Sequence, residues 1–555
     1  MNGVREMLKK IHFDDTDTRV KKYLIPKKIL LTKGFWHGEE RLLHYKNRQI
    51  STHEPEVTTM ISTEEEKAGI LLDFGTELHG GVSVSLFRIR TGEEAKFRIC
   101  FGESAGEALS HIGEKNATND HSMRDFEFTS KSWTVSEHGA TGFRFVYLEL
   151  LTPGKVHLKT VQAAMLYQPY EYIGSFESDD ERLNLIYDTA AYTCHLCLQN
   201  ELWDGIKRDR LVWIGDLAPE LKTVKYVWGD VPQIYNGLAF SSHNTVLPTW
   251  INGIATYSLW WLINLEEWVF YTGKREYLQE QKEYTVRLIR QILENVDENG
   301  DFTASDFIDW PSKGFPAAKA GARALLIFAM RACEKILSML GEDELKAECE
   351  TVRKLTESQR KSCGNLKQIA ALLLLADISA EDSEKCLQTG GAEGFSTFMS
   401  YYILKGMAQC CSEEEILDTL KTYYGAMLDL GATTFWEDFD MKWTENACRL
   451  DEICKEGQTD IHGDHGKYCY QGFRHSLCHG WSSGPVAFLT EYVLGIQIIG
   501  EGCSKIEINP HLGSLKHVSG SIATPFGKLT VEHLKKDDGT IITEIEAPQG
   551  VKILK

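Results

Sequence analysis

Hydrophobic and polar positions in the first third of the chain follow the short period of β-strands. Between about residues 20 and 172, segments rich in Val, Ile, Phe and Tyr are separated by glycines and polar turns, without a long helical period among them. Such segments are typical of antiparallel sheets. We therefore predict an antiparallel β-sandwich over residues 1–172. Its clearest strands are expected at 69–74, 81–89, 95–101, 143–151 and 156–166, with a long polar loop at 104–125.

The period changes to that of a helix at Ser178-Asp-Asp-Glu181, where a serine three residues before a glutamate predicts a capping box. Apolar residues then recur every three or four positions for some three hundred residues. Nine or ten helices are predicted, near 178–198, 250–271, 279–296, 317–340, 343–360, 365–376, 397–410, 413–428 and 482–498. This number approaches the twelve helices of an (α/α)6 barrel, which we predict for residues 173–499.

Strand-like alternation returns near residue 500. Segments at 505–508, 528–533 and 540–546 alternate apolar and polar residues, and Gly520 and Gly527 are expected at turns. The pattern predicts a small β-sheet domain over residues 500–555. Three domains suit a chain of 555 residues, which is too long for one compact core.

The composition of the chain limits the kinds of molecule that it is expected to bind. A formal charge of -20 and a pI near 5.4 disfavour nucleic acid and anionic lipid, which require a basic surface. Because no apolar run resembles a signal-peptide core or a membrane span, we expect a cytoplasmic protein without a membrane partner. The fourteen cysteines have no framework spacing and are expected to be small buried thiols.

One stretch, Asp204-Gly-Ile-Lys-Arg-Asp-Arg-Leu-Val-Trp-Ile-Gly-Asp216, concentrates three acids, three bases and a tryptophan in thirteen residues. It follows a helical segment and is predicted to be a loop that directs acidic side chains into a cavity. One interpretation is a structural ion-pair cluster within the stretch. The interleaved Trp203 and Trp213 favour a sugar-binding cleft, in which rings stack on the sugar and acids bind its hydroxyls.

The stretch resembles the signature of bacterial α-L-rhamnosidases of glycoside hydrolase family 78, in which Asp-Cys-Pro-Gln-Arg is followed by one or two acids and then Leu-Gly-Trp. Residues 71–82 and 97–103 resemble the sandwich that precedes the barrel of these six-hairpin enzymes. Residues 505–514 and 520–527 resemble their closing sheet. The resemblance covers nearly the whole chain, in the same domain order, and implies an inverting glycosidase that releases terminal α-L-rhamnose.

The resemblance implies a catalytic acid four residues before Trp213, which is Asp209, and a sugar-binding acid at Asp204. The family commonly has Glu as the acid, and this motif is one residue tighter, so the assignment between Asp204 and Asp209 stays open. Asp209 keeps the better register with the tryptophan. Arg208 and Asp216, in the same motif, are predicted to contact substrate.

Glycoside hydrolysis requires a second carboxyl group. Residues 431–440, Gly-Ala-Thr-Thr-Phe-Trp-Glu-Asp-Phe-Asp, resemble the family segment that ends in the general base, which implies that Glu437 is the base. Trp436 and Trp443 are then expected as walls of the cleft. An alternative interpretation is a helix N-terminus whose acids offset the macrodipole.

Two further segments resemble family elements that contact the sugar. His479 lies where the family has a histidine, although Cys478 replaces the usual asparagine beside it. Asp309-Trp310 resembles the Gly-Asp-Trp element of the family barrel. The resemblance therefore implies that Asp309, Trp310 and His479 bind the substrate.

No cofactor or metal is predicted, since Cys194-His-Leu-Cys197 lacks a second ligand pair and the histidines and cysteines of 462–478 match no ligand spacing. Two other functions stay open. Lys207, Arg208 and Arg210 would suit a hydrolase or lyase for an acidic sugar, and the short acid at 209 would suit a carbohydrate-binding protein without activity. The expected partner is a rhamnoside, and a homo-oligomer is left open.

Overall fold

A computed structural model describes residues 17–554. Its N-terminal part is one antiparallel sheet of nine strands within those residues, ordered β3-β4-β9-β5-β8-β6-β7, with β1 paired to β9 and β2 to β5. The strands are β1 (Val20–Leu24), β2 (Lys28–Lys33), β3 (Phe35–His37), β4 (Thr58–Ser62), β5 (Ala68–Ile89), β6 (Glu94–Gly102), β7 (Asp125–Lys131), β8 (Thr134–Leu150) and β9 (Gly154–Tyr167). The antiparallel β-region predicted from the sequence is confirmed.

Two of the predicted strands are parts of one. β5 runs for 22 residues and pairs with both β8 and β9, and all but three of its residues are buried. The polar loop expected at 104–125 contains a short helix, α1 (Ala105–Leu109). Ser104 caps this helix by accepting from the Glu107 amide, which the loop prediction did not foresee.

The middle of the chain is helical, as predicted. Its helices are α2 (Glu181–Cys197), α3 (Leu217–Val227), α4 (Pro232–Asn244), α5 (Ala255–Thr272), α6 (Arg275–Glu280), α7 (Lys282–Glu294), α8 (Ala318–Leu340), α9 (Asp343–Glu357), α10 (Lys367–Leu375), α11 (Asp382–Leu387), α12 (Ser400–Met407), α13 (Glu413–Asp429) and α14 (Gly484–Phe488). α3 and α4 were not predicted. The sequence of α3 does not show a regular spacing of apolar residues, because Lys222 and Lys225 occupy buried positions, where they pair with Glu267.

Two predicted helix ends are wrong. The N-cap of α2 is Asp180, which accepts from the Arg182 amide at 3.0 Å, because Ser178 already belongs to the strand β10 (Ser175–Ser178). The helix expected at 482–498 stops early. A π-turn, Leu489–Val493, follows α14, and Gly495 has a left-handed φ of 67° that ends the helical path.

The C-terminal strands form two small sheets. Short pairs precede them, β11 (Ala447–Cys448) with β12 (Thr459–Asp460) and β13 (Gly466–Lys467) with β14 (Tyr470–Gln471). One sheet joins β15 (Ile496–Ile498), β16 (Lys505–Ile508) and β20 (Lys552–Leu554); the other joins β10 to β17 (His517–Thr524), β18 (Gly527–Lys535) and β19 (Ile541–Glu546). The small C-terminal β-region is thus confirmed.

Gly520 lies inside β17 and not at a turn, which corrects the prediction. A Cβ there would lie 2.5 Å from a Leu494 methyl group and from the Ser175 carbonyl oxygen. The glycine is therefore needed for a close approach of strands.

The cysteines are mostly buried thiols, as predicted. Among the described residues eight of the twelve free cysteines are buried, whereas Cys448 and Cys454 form a disulfide that the spacing did not indicate. Across residues 17–554, every helix is too short or too polar to cross a bilayer.

Candidate active site

The stretch from Asp204 to Asp216 is a loop between α2 and α3, as predicted. Asp204 closes it by accepting from the Leu211 amide at 2.9 Å, and its own carbonyl accepts from the Gly480 amide at 2.7 Å. Gly205 and His479 form an isolated antiparallel β-bridge between the two segments. A Cβ on residue 205 would lie 3.1 Å from the imidazole Nδ1 of His479. The loop is thereby fixed against the segment that carries His479.

Arg208 brings the two predicted catalytic carboxyl groups together. Its Nη2 contacts both oxygens of Glu437, and its Nη1 lies 3.1 Å from Asp209 Oδ1. The guanidinium is also held by the Arg474 carbonyl, 3.1 Å from Nε. Carboxyl groups from distant parts of the chain thus contact one cation.

Asp209 is held by three side chains. Besides Arg208, its Oδ1 lies 3.2 Å from His121 Nδ1, and its Oδ2 accepts from Trp213 Nε1 at 3.2 Å. Asp209 and Arg210 both adopt left-handed backbone angles, φ 56° and 54°. Such angles are strained for non-glycine residues and gather at functional sites. The side chain keeps 16% exposure, so a ligand can reach it.

Glu437 is buried and ionised. Burial raises its pKa, but the Arg208 guanidinium outweighs burial and brings the pKa to about 2. The Ser476 amide donates to Oε2 at 3.2 Å. Trp481 Nε1 and the Thr397 hydroxyl donate to the main-chain carbonyl of Glu437 at 2.9 and 2.6 Å. The result is a rigidly placed carboxylate.

Asp216 and His479 form a second polar pair. His479 Nε2 lies 3.1 Å from Asp216 Oδ1, and the Tyr257 hydroxyl donates to Oδ2 at 3.2 Å. Burial raises the pKa of Asp216. Burial lowers the pKa of His479, but the nearby acids, Glu437 first, outweigh it and raise the pKa. His479 Nδ1 is buried and has no hydrogen-bond partner in residues 17–554.

Asp309 offers another free polar atom. Its Oδ1 accepts from the Ser312 amide at 2.9 Å and from Gln368 Nε2 at 3.3 Å. Its Oδ2 is buried without a partner among the described residues, and burial raises its pKa. Trp310 is half-buried and lies nearly parallel to Tyr468, with ring centroids 6.0 Å apart. An acid and an aromatic surface are therefore adjacent.

A cavity of about 150 Å³ adjoins this pair, and Gln368, Asp438 and Tyr468 are among its lining residues. Larger cavities, of about 490 to 740 Å³, lie along residues 365–444 and Arg182 and contain none of the predicted site residues. Cavity volume alone therefore does not indicate where the candidate site lies. The polar side chains around Arg208 indicate it.

The other two tryptophans that were predicted as walls of the cleft, Trp436 and Trp443, lie in the hydrophobic core. Trp436 is 1% exposed and packs edge-on against Phe439. Trp443 is buried, stacks on His465 and meets the edge of His475. Neither ring forms an accessible wall here.

The ion-pair interpretation of the stretch does not match the structure. Within residues 204–216 only one acid pairs with a Lys or Arg of the same stretch: Asp209 pairs with Arg208. Lys207 contacts Glu103 at 3.0 Å, and Arg210 donates to two main-chain carbonyls of the N-terminal region. The other two acids of the stretch have no Lys or Arg partner within residues 17–554. The charges therefore connect the loop to other segments.

The helix-terminus interpretation of residues 431–440 is also wrong. No α-helix of the described chain begins there; Asp440 caps only a short 3-10 turn, Met441–Thr444. Glu437 is oriented toward Arg208 instead.

Several groups at the site were missed. His121, Tyr257 and Gln368 come from distant segments without any motif, so the sequence carried no signal for them. Asp438 follows Glu437 directly and could have been found; burial raises its pKa to about 7. Tyr468 lies on an unpredicted hairpin.

One cluster has the composition of a metal site. Glu103, Glu107 and His462 place ligand atoms within 4.8 Å of one another. However, Lys207 Nζ lies 3.0 and 3.3 Å from the two carboxylates, and the Ser104 hydroxyl lies 2.8 Å from His462 Nδ1. The lysine supplies the positive charge that a cation would bring.

The antiparallel sheet, the helical region and the two small C-terminal sheets together form a fold that is similar to that of solved family 78 rhamnosidases. The family 78 rhamnosidase of Bacillus sp. GL1 matches with a TM-score of 0.75 and 18% identity, over 93% of this chain and 55% of that chain. A Klebsiella oxytoca rhamnosidase with rhamnose bound matches with a TM-score of 0.64 and 17% identity, over 85% of this chain and 96% of that one.

The Streptomyces avermitilis α-L-rhamnosidase complexed with L-rhamnose has a TM-score of 0.64 and 15% identity, over 87% of this chain and 48% of that chain. This chain thus spans about half the length of the Bacillus and Streptomyces chains. No protein-family model and no curated protein sequence matches it. The likeness to rhamnosidases predicted from the motifs is confirmed for the fold.

Proposed function

We propose that this protein is an inverting glycoside hydrolase that releases terminal α-L-rhamnose from rhamnosides. The observation that carries the proposal is the contact of both Asp209 and Glu437 with the guanidinium of Arg208. Hydrolysis with inversion uses one carboxyl to protonate the leaving oxygen and another to activate water. Asp209 and Glu437 are the carboxyls that we assign to these two tasks.

The environments of the two carboxyls separate their roles. Despite burial, Arg208 brings the pKa of Glu437 to about 2, so Glu437 is the ionised carboxyl and is assigned as the general base. Asp209 is the partly exposed carboxyl and is assigned as the acid. Asp204 is 2% exposed and bonds its own loop, which favours a structural and sugar-binding role over proton transfer.

We assign the sugar to a position in which it contacts these carboxyls and the free polar atoms of the site. His479 Nδ1 and Asp309 Oδ2 are buried without partners in the described chain, so each can bond a sugar hydroxyl. Asp216 orients His479, and Trp213 and Trp310 supply aromatic surface. The bound rhamnose of the Klebsiella and Streptomyces proteins supports L-rhamnose as the sugar.

The finer architecture is part of the same proposal. The helices are proposed to form an (α/α)6 barrel and the N-terminal sheet to fold into a sandwich, with domains at 1–172, 173–499 and 500–555. An acidic sugar is disfavoured, since Lys207, Arg208 and Arg210 all contact protein acceptors.

A panel of nitrophenyl glycosides tests the function. We expect release of nitrophenol from the α-L-rhamnoside well above release from an L-arabinoside, a D-galactoside or a D-glucuronide. Preference for one of the other three would contradict the sugar, and no release from any would contradict catalysis.

Two variants test the identity of the acid. Asp209→Asn should lower turnover of a rhamnoside by about a hundredfold or more, because the proton donor is lost. Asp204→Asn should act mainly on KM. If Asp204→Asn abolishes turnover while Asp209→Asn is mild, the acid is Asp204.

A further inference from the structure

A loop of the N-terminal β-region brings a histidine to the assigned acid. His121 Nδ1 lies 3.2 Å from Asp209 Oδ1, and its Nε2 lies 3.1 Å from Asp120 Oδ1. The Arg474 guanidinium donates to Asp120 Oδ2 at 2.8 and 3.1 Å. A continuous chain of polar contacts therefore leads from Arg474 through Asp120 and His121 to Asp209.

The position of His121 is fixed by contacts that do not involve its ring. Arg210 donates to the His121 carbonyl, and the Ser122 hydroxyl donates to the Lys207 carbonyl at 2.8 Å. His121 has a left-handed φ of 66°, opposite the left-handed Asp209. Two strained backbones that face each other, held by separate hydrogen bonds, form a built arrangement.

Asp120 favours one tautomer of the neutral imidazole. Nε2 lies 3.1 Å from Asp120 Oδ1, and because a carboxylate only accepts hydrogen bonds, the tautomer with hydrogen on Nε2 suits this contact. Nδ1 then holds the lone pair and accepts from Asp209 when that carboxyl is protonated. When Asp209 is ionised, a protonated His121 donates to it instead. The charged groups around the ring are Asp120 and Asp209 directly, with Arg208, Arg210 and Arg474 behind them.

We propose that His121 is a positioning residue that orients Asp209 and returns its proton after each turnover; this rests on the proposed function. Asp209 gives its proton to the leaving oxygen as the glycosidic bond breaks. The proton that Glu437 took from the attacking water is released to solvent, and His121, whose side chain is one-third exposed, takes up a solvent proton at Nδ1 and transfers it to Asp209 Oδ1. The ring is then neutral again, and the acid is restored.

The leaving group supplies the test. A 2,4-dinitrophenolate departs without protonation, whereas methanol departs only with help from the acid. In His121→Ala we expect kcat for methyl α-L-rhamnoside to fall about tenfold or more, while kcat for the 2,4-dinitrophenyl glycoside falls less than about threefold. KM should change little for either substrate.

His121→Asn is the second variant. Asparagine tolerates the left-handed backbone and places an amide near the position of Nδ1, but it carries no transferable proton. We expect the same selective loss as in His121→Ala. His111→Ala, on the same loop with an exposed side chain, is the matched control and should behave as wild type.

Equal losses on both glycosides, or wild-type turnover of the methyl glycoside by His121→Asn, would overturn the proposal. These outcomes require an active wild-type protein. A wild type that hydrolyses neither glycoside would instead overturn the proposed function itself, and the role of His121 with it.

Discussion

Arg208 determines the electrostatics of the site, because one guanidinium contacts both assigned carboxyls. Burial alone would raise the pKa of Glu437 above its ordinary value of 4.5, and the arginine reverses this. A base must be ionised to act, so activity persists at low pH only while its pKa is low.

Removal of this cation should therefore move the pH profile. In Arg208→Met we expect the low-pH limb of kcat/KM to shift to higher pH, since the pKa of Glu437 rises from about 2. Arg208→Lys keeps the charge and should shift the limb much less. An unmoved limb in Arg208→Met would show that another group is the base.

At the scale of elements, the hairpin of β13 and β14 completes the aromatic surface. Its tip residue Tyr468 has a left-handed φ of 60° and lies over Trp310. We expect Tyr468→Ala to raise KM about fivefold with kcat little changed, because an aromatic contact contributes about 1 kcal/mol. Tyr468→Phe keeps the ring and should match wild type. A loss in kcat at constant KM would contradict a binding role for the hairpin.

The regular elements were predictable where one face is apolar, as in β6, β8, α8 and α13. Prediction failed where burial hides the pattern: α3 buries paired lysines, and so lacks the expected polar face. The motifs single out Asp209 and Glu437, and the folded chain brings both into contact with Arg208. His121 and Tyr468 were not predictable, because only the folded chain brings their loops to the site.

At the scale of the whole molecule, Lys207 joins the N-terminal sheet to the loops of the helical region. Its ammonium group lies 3.0 Å from Glu103, at the end of β6, and 3.3 Å from Glu107 in α1. It also donates to the Phe473 carbonyl at 2.9 Å. The sequence places Lys207 among the site's bases, but its partners lie a hundred residues away and could not be inferred.

Loss of this lysine leaves the buried Glu103 without a Lys or Arg partner in residues 17–554 and leaves the buried Glu107 with only Arg124, whose Nε lies 4.0 Å from Oε1. We expect Lys207→Met to lower the free energy of unfolding by about 3–5 kcal/mol, measured by denaturant titration. Lys319→Met, at an exposed position, is the control. Equal stability of Lys207→Met and wild type would mean that the two regions are joined by other contacts.

The stereochemistry of the first-formed product tests the central claim most directly, because inversion requires a water molecule activated by Glu437, whereas retention requires direct attack by Glu437 on the sugar. Inverting enzymes hold their carboxyls about 6.5–9.5 Å apart, and retaining enzymes about 5 Å. Proton NMR of the wild-type protein acting on an α-L-rhamnoside should show β-L-rhamnose before mutarotation. Initial formation of the α anomer would make Glu437 a nucleophile and contradict the proposed mechanism.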